Sequence, residues 1–243
     1  SLIRHFRNNK YDILHMHTVY AQILGRVFKP ILNVDYSIST YHMMPSLWYS
    51  NAGIKYLERI SRPLDDRLIT VSEGVQRAFN GGSQQGWHTI HNGIDVQEYR
   101  RQVNTASSPA IDGLSEGGLN FLNIGRFVPE KSQSDLILAM DSVVEALPSA
   151  NLIIVGGGQL KDELQNLIDD LGLYDNVFLI DHVSSVYGYY ALADVFVFSS
   201  IDEGLPLVTL EAMAAKLPVI ATDIPGVNEV VIDEKNVYLI PPN

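Results

Sequence analysis

Six short apolar runs recur through the second half of this 243-residue chain, and amphipathic stretches separate them. The runs fall at 119–124, 151–155 (NLIIV), 176–180 (NVFLI), 194–199 (DVFVFS), 217–222 (LPVIAT) and 237–240 (VYLI). Helical patterns lie near 133–147, 160–172, 185–193, 207–216 and 227–232. Strand-length apolar runs alternating with amphipathic helices at this spacing imply βαβ units and a parallel sheet covered on both faces. The first hundred residues repeat the theme less cleanly. Strand patterns stand at 11–17, 36–42, 67–71 and 88–92, and helical ones at 19–28, 52–62 and 73–80.

Between the halves lies RQVNTASSPAIDGLSEGG (101–118), whose Ser, Gly and Pro content marks a linker or an irregular excursion. The expected organisation is α/β, with two Rossmann-like domains. A partial first domain spans 1–105, a linker 106–118 and a second domain 119–243. The chain opens with Ser1 inside a helical pattern (Leu2, Ile3, Phe6) and closes at Asn243 just after a strand pattern, so it is expected to be a fragment cut at both ends.

Composition narrows the class. Hydrophobic residues at 46% and charged residues at 19% describe a globular chain, with no apolar run near the roughly 18 residues of a membrane span. The absence of cysteine excludes disulfides and thiolate metal sites and fits a reducing compartment. The net charge of −11 is uneven: residues 1–100 carry 11 Lys+Arg against 8 Asp+Glu, and residues 101–243 carry 6 against 20. The acidic half opposes binding to nucleic acid, which depends on phosphate neutralisation. It also makes its few cations conspicuous.

Ligands of open parallel sheets bind beyond the carboxyl ends of the strands, so the residues after each apolar run carry the functional argument. NIGRFVPEK (123–131) offers Gly125 for a sharp turn and two cations, Arg126 and Lys131, ahead of a helix. Cations at a helix N-terminus suit a diphosphate; pairing with Glu130 and Asp135 is the plainer alternative. The glycines of IIVGGGQ (153–159) permit a tight turn or a close ligand approach. His182 reads as a local packing residue. No His/Asp/Glu set has metal-ligand spacing, so no tightly held metal is expected.

In DEGLPLVTLE (202–211), Pro206 marks a helix start, which places Glu203 in the preceding loop and Glu211 in the second turn. Free N–H groups of Gly204, Leu205 and the first turn suit phosphates, and the two carboxylates suit hydroxyls. A single acid near a helix start is ordinarily just favourable by about 0.3–1 kcal/mol. Two acids flanking Gly-Leu-Pro favour a ligand.

GRFVPEKSQSDLILAM, NLIIVGGG, ADVFVFSS, DEGLPLVTLEAMAAKLPVIATDIPGVNEVV and LIPP resemble, in order and spacing, the retaining glycosyltransferases of family 4. The spacing of Glu203 and Glu211 is similar to their E-x7-E motif. The likeness covers nearly all of 119–243. It is looser over 1–100, where DILHMHT, STYH, VSEG and HNGID match in place.

The resemblance implies the GT-B fold, two Rossmann-like domains with parallel sheets facing across a cleft, and a nucleotide-diphosphate sugar as donor substrate with no cofactor. It implies that Arg126 and Lys131 bind the diphosphate. Glu203 would contact donor-sugar hydroxyls, Gly204 and Leu205 would add backbone N–H contacts, and Glu211 would hold the ribose. The loop at Val183 would read the base, and His42 would face the donor sugar, with Asn92 and Gly93 bordering the cleft. Gly125 and Pro206 complete the expected donor-binding set. The acceptor would be a glycan or a lipid-linked glycan, and the setting cytoplasmic, with peripheral contact at the inner face of the membrane.

Relatives of this kind begin with a glycine-rich segment ahead of residue 1 and usually end with helices beyond 243. Their glycine before the last strand is replaced here by Val237 or Tyr238. Two alternatives stand beside transfer: a nucleotide-sugar epimerase of the same fold, and a fragment that binds nucleotide without turnover.

Overall fold

The computed structural model describes residues 2–80, 86–115, 117–231 and 237–242. Its strands are β1 Tyr11–Met16, β2 Val34–Tyr41, β3 Arg67–Thr70, β4 Trp87–Thr89, β5 Asn120–Ile124, β6 Asn151–Val155, β7 Val177–Ile180, β8 Val195–Phe198, β9 Val219–Thr222 and β10 Val237–Ile240. The α-helices are α1 Leu2–Asn8, α2 Val19–Phe28, α3 Pro45–Trp48, α4 Ala52–Ser61, α5 Glu73–Asn80, α6 Val96–Thr105, α7 Gln133–Ala146, α8 Lys161–Asp170, α9 Tyr187–Leu192 and α10 Leu207–Ala214. Two compact units result. One comprises residues 1–92 with Glu203–Leu205, the other 93–202 with 206–243.

In the first unit, β1-β2-β3-β4 lie side by side in sequence order, all parallel. Local caps set the helix starts: the Thr18 hydroxyl accepts from the Ala21 N–H, and Asn51 Oδ1 accepts from the Ile54 N–H at 3.0 Å. The inner face of α2 buries Val19 but also Gln22 and Arg26. Arg26 donates to Asp65 (2.6 Å), Glu58 (3.2 Å), the Tyr41 hydroxyl (2.9 Å) and Ser39 (3.1 Å), and the side chains of Arg26, Glu58 and Asp65 are fully buried. Every buried charge there is paired, which is the condition for burying it at all. Beside this network the Arg62 guanidinium lies 5.3 Å from the Trp87 ring and 5.6 Å from that of Phe79.

The second unit holds a six-stranded parallel sheet in the order β10-β9-β8-β5-β6-β7. Alternation on β6 serves both faces. Ile153 and Val155 join a core with Phe196, Tyr190 and Ala212, while Leu152 and Ile154 join Ile137, Met140 and Ile168 under α7 and α8.

Three features differ from the sequence reading. The border of the units falls between Asn92 and Gly93, not at 105. Residues 96–105 form α6, capped by Asp95 accepting from the Gln97 and Glu98 N–H groups, and α6 packs its Tyr99 against Tyr187 and Tyr190 of the second unit. The stretch expected to be a linker is built into the same unit: Ile111 and Leu114 pack on its core, and the Ser115 N–H donates to Asn151. The helix expected at 227–232 is a set of turns through residue 230, with Val227 and Asn228 donating to the Ile224 carbonyl; position 232 lies outside the described residues.

Candidate functional site

The chain leaves β5 toward β6 and β7, then returns to β8 on the other flank of β5, so the strand order reverses between β5 and β8. Such a switch point opens a crevice beyond the strand ends. The two loops that leave there are the ones carrying the predicted cations and the start of α10. They are bound to each other: the Ser199 hydroxyl donates to the Lys131 carbonyl at 2.7 Å, and the Ile201 N–H to the Glu130 carbonyl at 3.0 Å. One strand turn earlier, Asn123 Nδ2 donates to the Val197 carbonyl at 2.8 Å.

Arg126 extends into solvent, with its side chain 65% exposed and Nη2 3.4 Å from Glu130 Oε1. An exposed pair at that distance contributes little, so the guanidinium can be given over to a ligand at small cost. The path of the loop is fixed elsewhere. Gln133 Nε2 donates to the Arg126 carbonyl at 2.9 Å, and Ser132 adopts a left-handed φ of 47° before α7. The Lys131 ammonium lies 5.8 Å from the Phe198 ring. Asp135 accepts from the Ser132 hydroxyl.

Gly125, expected to allow a sharp turn at the strand end, is not among the glycines with a left-handed backbone. A Cβ there would meet only Lys131 and Gln133 side-chain atoms, at 3.5 Å. The glycines that matter are Gly156 and Gly158 in the neighbouring loop. A Cβ on Gly156 would sit 1.9 Å from the Gly125 carbonyl oxygen, and one on Gly158 2.4 Å from that of Phe127. The GGG cluster therefore lets two strand-end loops run against each other, tied by the Phe127 N–H donating to the Gly157 carbonyl at 2.9 Å.

Pro206 caps α10, and Glu211 stands in its second turn, half-buried. Its Oε2 accepts from the Tyr190 hydroxyl at 3.0 Å. Burial, then the Glu211 charge, pushes the Tyr190 phenol well above its ordinary range, and the same two causes raise Tyr99. Both phenols therefore stay protonated. Arg100 Nε donates to the Ala214 carbonyl at 2.9 Å, holding α6 to the C-terminal turn of α10. Val183 lies in the loop after β7, partly packed on the core beside α9. Tyr99 and Tyr190 were not among the predicted residues. The Asp95–Glu98 capping signal, D-x-x-E, was the available clue to α6.

The first unit gathers a second set. His42 follows β2, and its Nε2 lies 2.9 Å from His17 Nδ1, while His15 Nε2 lies 2.7 Å from the Thr40 hydroxyl. The His15 and His17 rings are 4.1 Å apart. Burial, with His17 adding to it, lowers the pKa of both His15 and His42. Glu203, Gly204 and Leu205 cluster with this unit. Gly204 is required there, since a Cβ would stand 2.0 Å from the His42 carbonyl oxygen. Glu203 is half-buried and Leu205 buried. The predicted residues thus fall into two groups. Arg126, Lys131, Val183, Pro206 and Glu211 surround the strand ends of one unit, and His42, Glu203, Gly204 and Leu205 belong to the other.

Comparison with known proteins gives two family matches. Residues 105–243 match the family described as glycosyl transferases group 1, and residues 1–98 that described as glycosyltransferase family 4. The putative glycosyltransferase EpsD of Bacillus subtilis is 30% identical over 246 residues, covering 95% of this chain and 64% of its own length. A UDP-Gal:alpha-D-GlcNAc-diphosphoundecaprenol alpha-1,3-galactosyltransferase of Escherichia coli is 27% identical over 253 residues, covering 99% of this chain and 65% of its own length. The chain thus spans just under two thirds of these relatives. Among solved structures, Anabaena Alr3699/HepE in complex with UDP superposes with a TM-score of 0.81 at 22% identity, over 100% of this chain and 67% of that one.

Proposed function

Because the chain belongs to the glycosyl transferases group 1 family, we propose that it moves a sugar from a nucleotide-diphosphate donor to a glycan or lipid-linked acceptor, with retention of configuration and without a metal. The observation that carries this reading is the pair of joined loops at the β5/β8 reversal, with Arg126 and Lys131 on one and the start of α10, bearing Glu211, beyond the other. The UDP bound to the Anabaena neighbour and the UDP-Gal in the name of the E. coli relative support a nucleotide-sugar donor.

In the proposed complex Arg126 and Lys131 hold the diphosphate, aided by the backbone at Gly125. Glu211 accepts from the ribose hydroxyls, the α10 start at Pro206 lies toward the phosphates, and the backbone near Val183 reads the base. His42, Glu203, Gly204 and Leu205 position the donor sugar. As the bond from the anomeric carbon to the phosphate oxygen breaks, negative charge grows on the leaving diphosphate. Fixed cations stabilise that charge more in the transition state than in the ground state, which is the requirement for catalysis. The acceptor hydroxyl attacks from the face the phosphate leaves, and its proton passes to the departing phosphate oxygen. This step needs no enzymic base and no carboxylate nucleophile, so Glu203 acts in positioning.

A lipid-linked acceptor, as in the name of the E. coli relative, supports peripheral work at the inner membrane face. No helix among the described residues is long and apolar enough to cross a membrane.

Calorimetric titration with UDP, GDP and ADP, on the chain and on Glu211→Ala, tests the donor site. Saturable binding of one nucleotide, weakened about tenfold or more by the substitution, is expected from the loss of hydrogen bonds to a charged acceptor. Equal affinity in both would refute the Glu211 assignment. Transfer of labelled sugar separates turnover from binding alone.

A further inference from the structure

We infer that Tyr190, braced by Tyr99, is a positioning residue for Glu211 and makes the donor site select ribonucleotides over their deoxy counterparts. The inference rests on the proposed role of Glu211 at the ribose.

A glutamate is a poor reader of hydroxyl groups unless its carboxylate is held, because its terminal torsion is broad and roughly two-fold. Here it is held. The Tyr190 hydroxyl donates to Glu211 Oε2 at 3.0 Å and lies 3.3 Å from the Val208 carbonyl one helical turn earlier on α10. Tyr190 is 1% exposed, so its hydroxyl is shielded from bulk water. Its ring cannot swing away. It stacks on Phe196 of β8 at 5.8 Å and 23°, and it meets Tyr99 of α6 edge-on at 5.7 Å and 80°. Tyr99 is fixed in turn by Tyr187, edge-on at 5.1 Å, and by the anchoring of its neighbour Arg100 to the Ala214 carbonyl. Two other elements, β8 and α6, therefore set the direction of one phenol, and that phenol sets the carboxylate.

An ionised carboxylate has about four lone-pair sites. Tyr190 occupies one on Oε2 and leaves the rest of the acceptor surface at a fixed orientation, suited to the paired donors of a ribose diol. A held, half-buried acceptor also discriminates against a ligand without those hydroxyls, because it is then left unpaired. A carboxylate at liberty to turn to solvent would lose most of that selectivity.

The test is a calorimetric comparison of the nucleoside diphosphate that binds, among UDP, GDP and ADP, with its 2′,3′-dideoxy counterpart. It is run on the chain, on Tyr190→Phe and on Glu211→Ala. Phenylalanine keeps the ring and its packing and removes only the oxygen. The unsubstituted chain should prefer the ribonucleotide by about tenfold or more, and Glu211→Ala should bring the two ligands near parity. Tyr190→Phe should shrink the preference by about three- to tenfold, with little change in the affinity of the dideoxy ligand. A purely structural role for Tyr190 would weaken both ligands alike, and that result overturns the inference. So does a full preference retained in Tyr190→Phe while Glu211→Ala abolishes it. No preference in the unsubstituted chain, no effect of Glu211→Ala, or no binding of any of the three nucleotides overturns the ribose assignment itself, and the inference with it.

Discussion

Glu58 has no access to solvent, yet its carboxylate accepts from Arg26, Arg62, Tyr41 and Tyr49. Burial opposes its charge, but the hydrogen bonds of Arg62 and the two tyrosines outweigh burial and hold its pKa below the ordinary 4.5. Removing one member of a buried ionic network leaves the others uncompensated. Glu58→Gln should therefore cost about 3 kcal/mol, the low end of the usual range because Asp65 still neutralises Arg26. A lowered urea midpoint would register this, and the exposed Glu98→Gln control should stay near the unsubstituted midpoint. Nothing in the sequence announced this network. Arg26 and Glu58 sit in amphipathic helical patterns where a charge ordinarily faces water, and only the packing of α2 on α4 turns both inward. The candidate site divided in the same way. Arg126, Lys131 and Glu211 could be singled out because they follow strand ends or a helix start, whereas Tyr190 looked like one more aromatic in YGYYALAD, its hydrogen-bond partner lying 21 residues away.

At the scale of elements, the βαβ alternation was legible almost throughout, because parallel strands buried on both faces must be continuous apolar runs and their helices must be amphipathic. The single-turn helix α3 (Pro45–Trp48) and helix α6 were not, and one expected helix did not form. Helix α6 lies in a polar stretch with few apolar positions, and it folds through its Asp95 cap and the one face that buries Tyr99 and Val103. The helix pattern after 226 ends in turns, with Gly226 at a φ of 92° just before the bonds to the Ile224 carbonyl. The glycine cluster at 156–158 looked uniform in sequence but is not in space. Gly156→Ala should force the Gly125 carbonyl aside and destabilise by about 1–3 kcal/mol, as overpacking typically does, with nucleotide binding impaired as the Arg126 loop shifts. A Cβ on Gly157 would find nothing within 4 Å, so Gly157→Ala should leave both properties close to those of the parent. Thermal unfolding and nucleotide titration of the pair would separate the two positions.

Across the whole molecule, charge and histidine placement set the response to pH. The folded chain lowers the pKa of His15 and His42 from the ordinary 6.5, chiefly by burial, so the unfolded chain binds more protons than the folded one as pH falls. Their contribution is complete above about 6.5 and is lost as pH drops through their folded values. Urea midpoints measured from about pH 7.5 down to about 5.5 should fall, and His42→Gln should flatten that slope; an unchanged slope would place the sensitivity elsewhere.

The two bonds that join the loops at the β5/β8 reversal address the carbonyls of Glu130 and Lys131 and leave their side chains out. Posture and chemistry are thus entrusted to different atoms of the same residues. Mutation can rewrite what this loop presents to a ligand while its course through space is inherited unchanged, which makes the switch point a place where ligand preference can drift without the fold having to be reinvented.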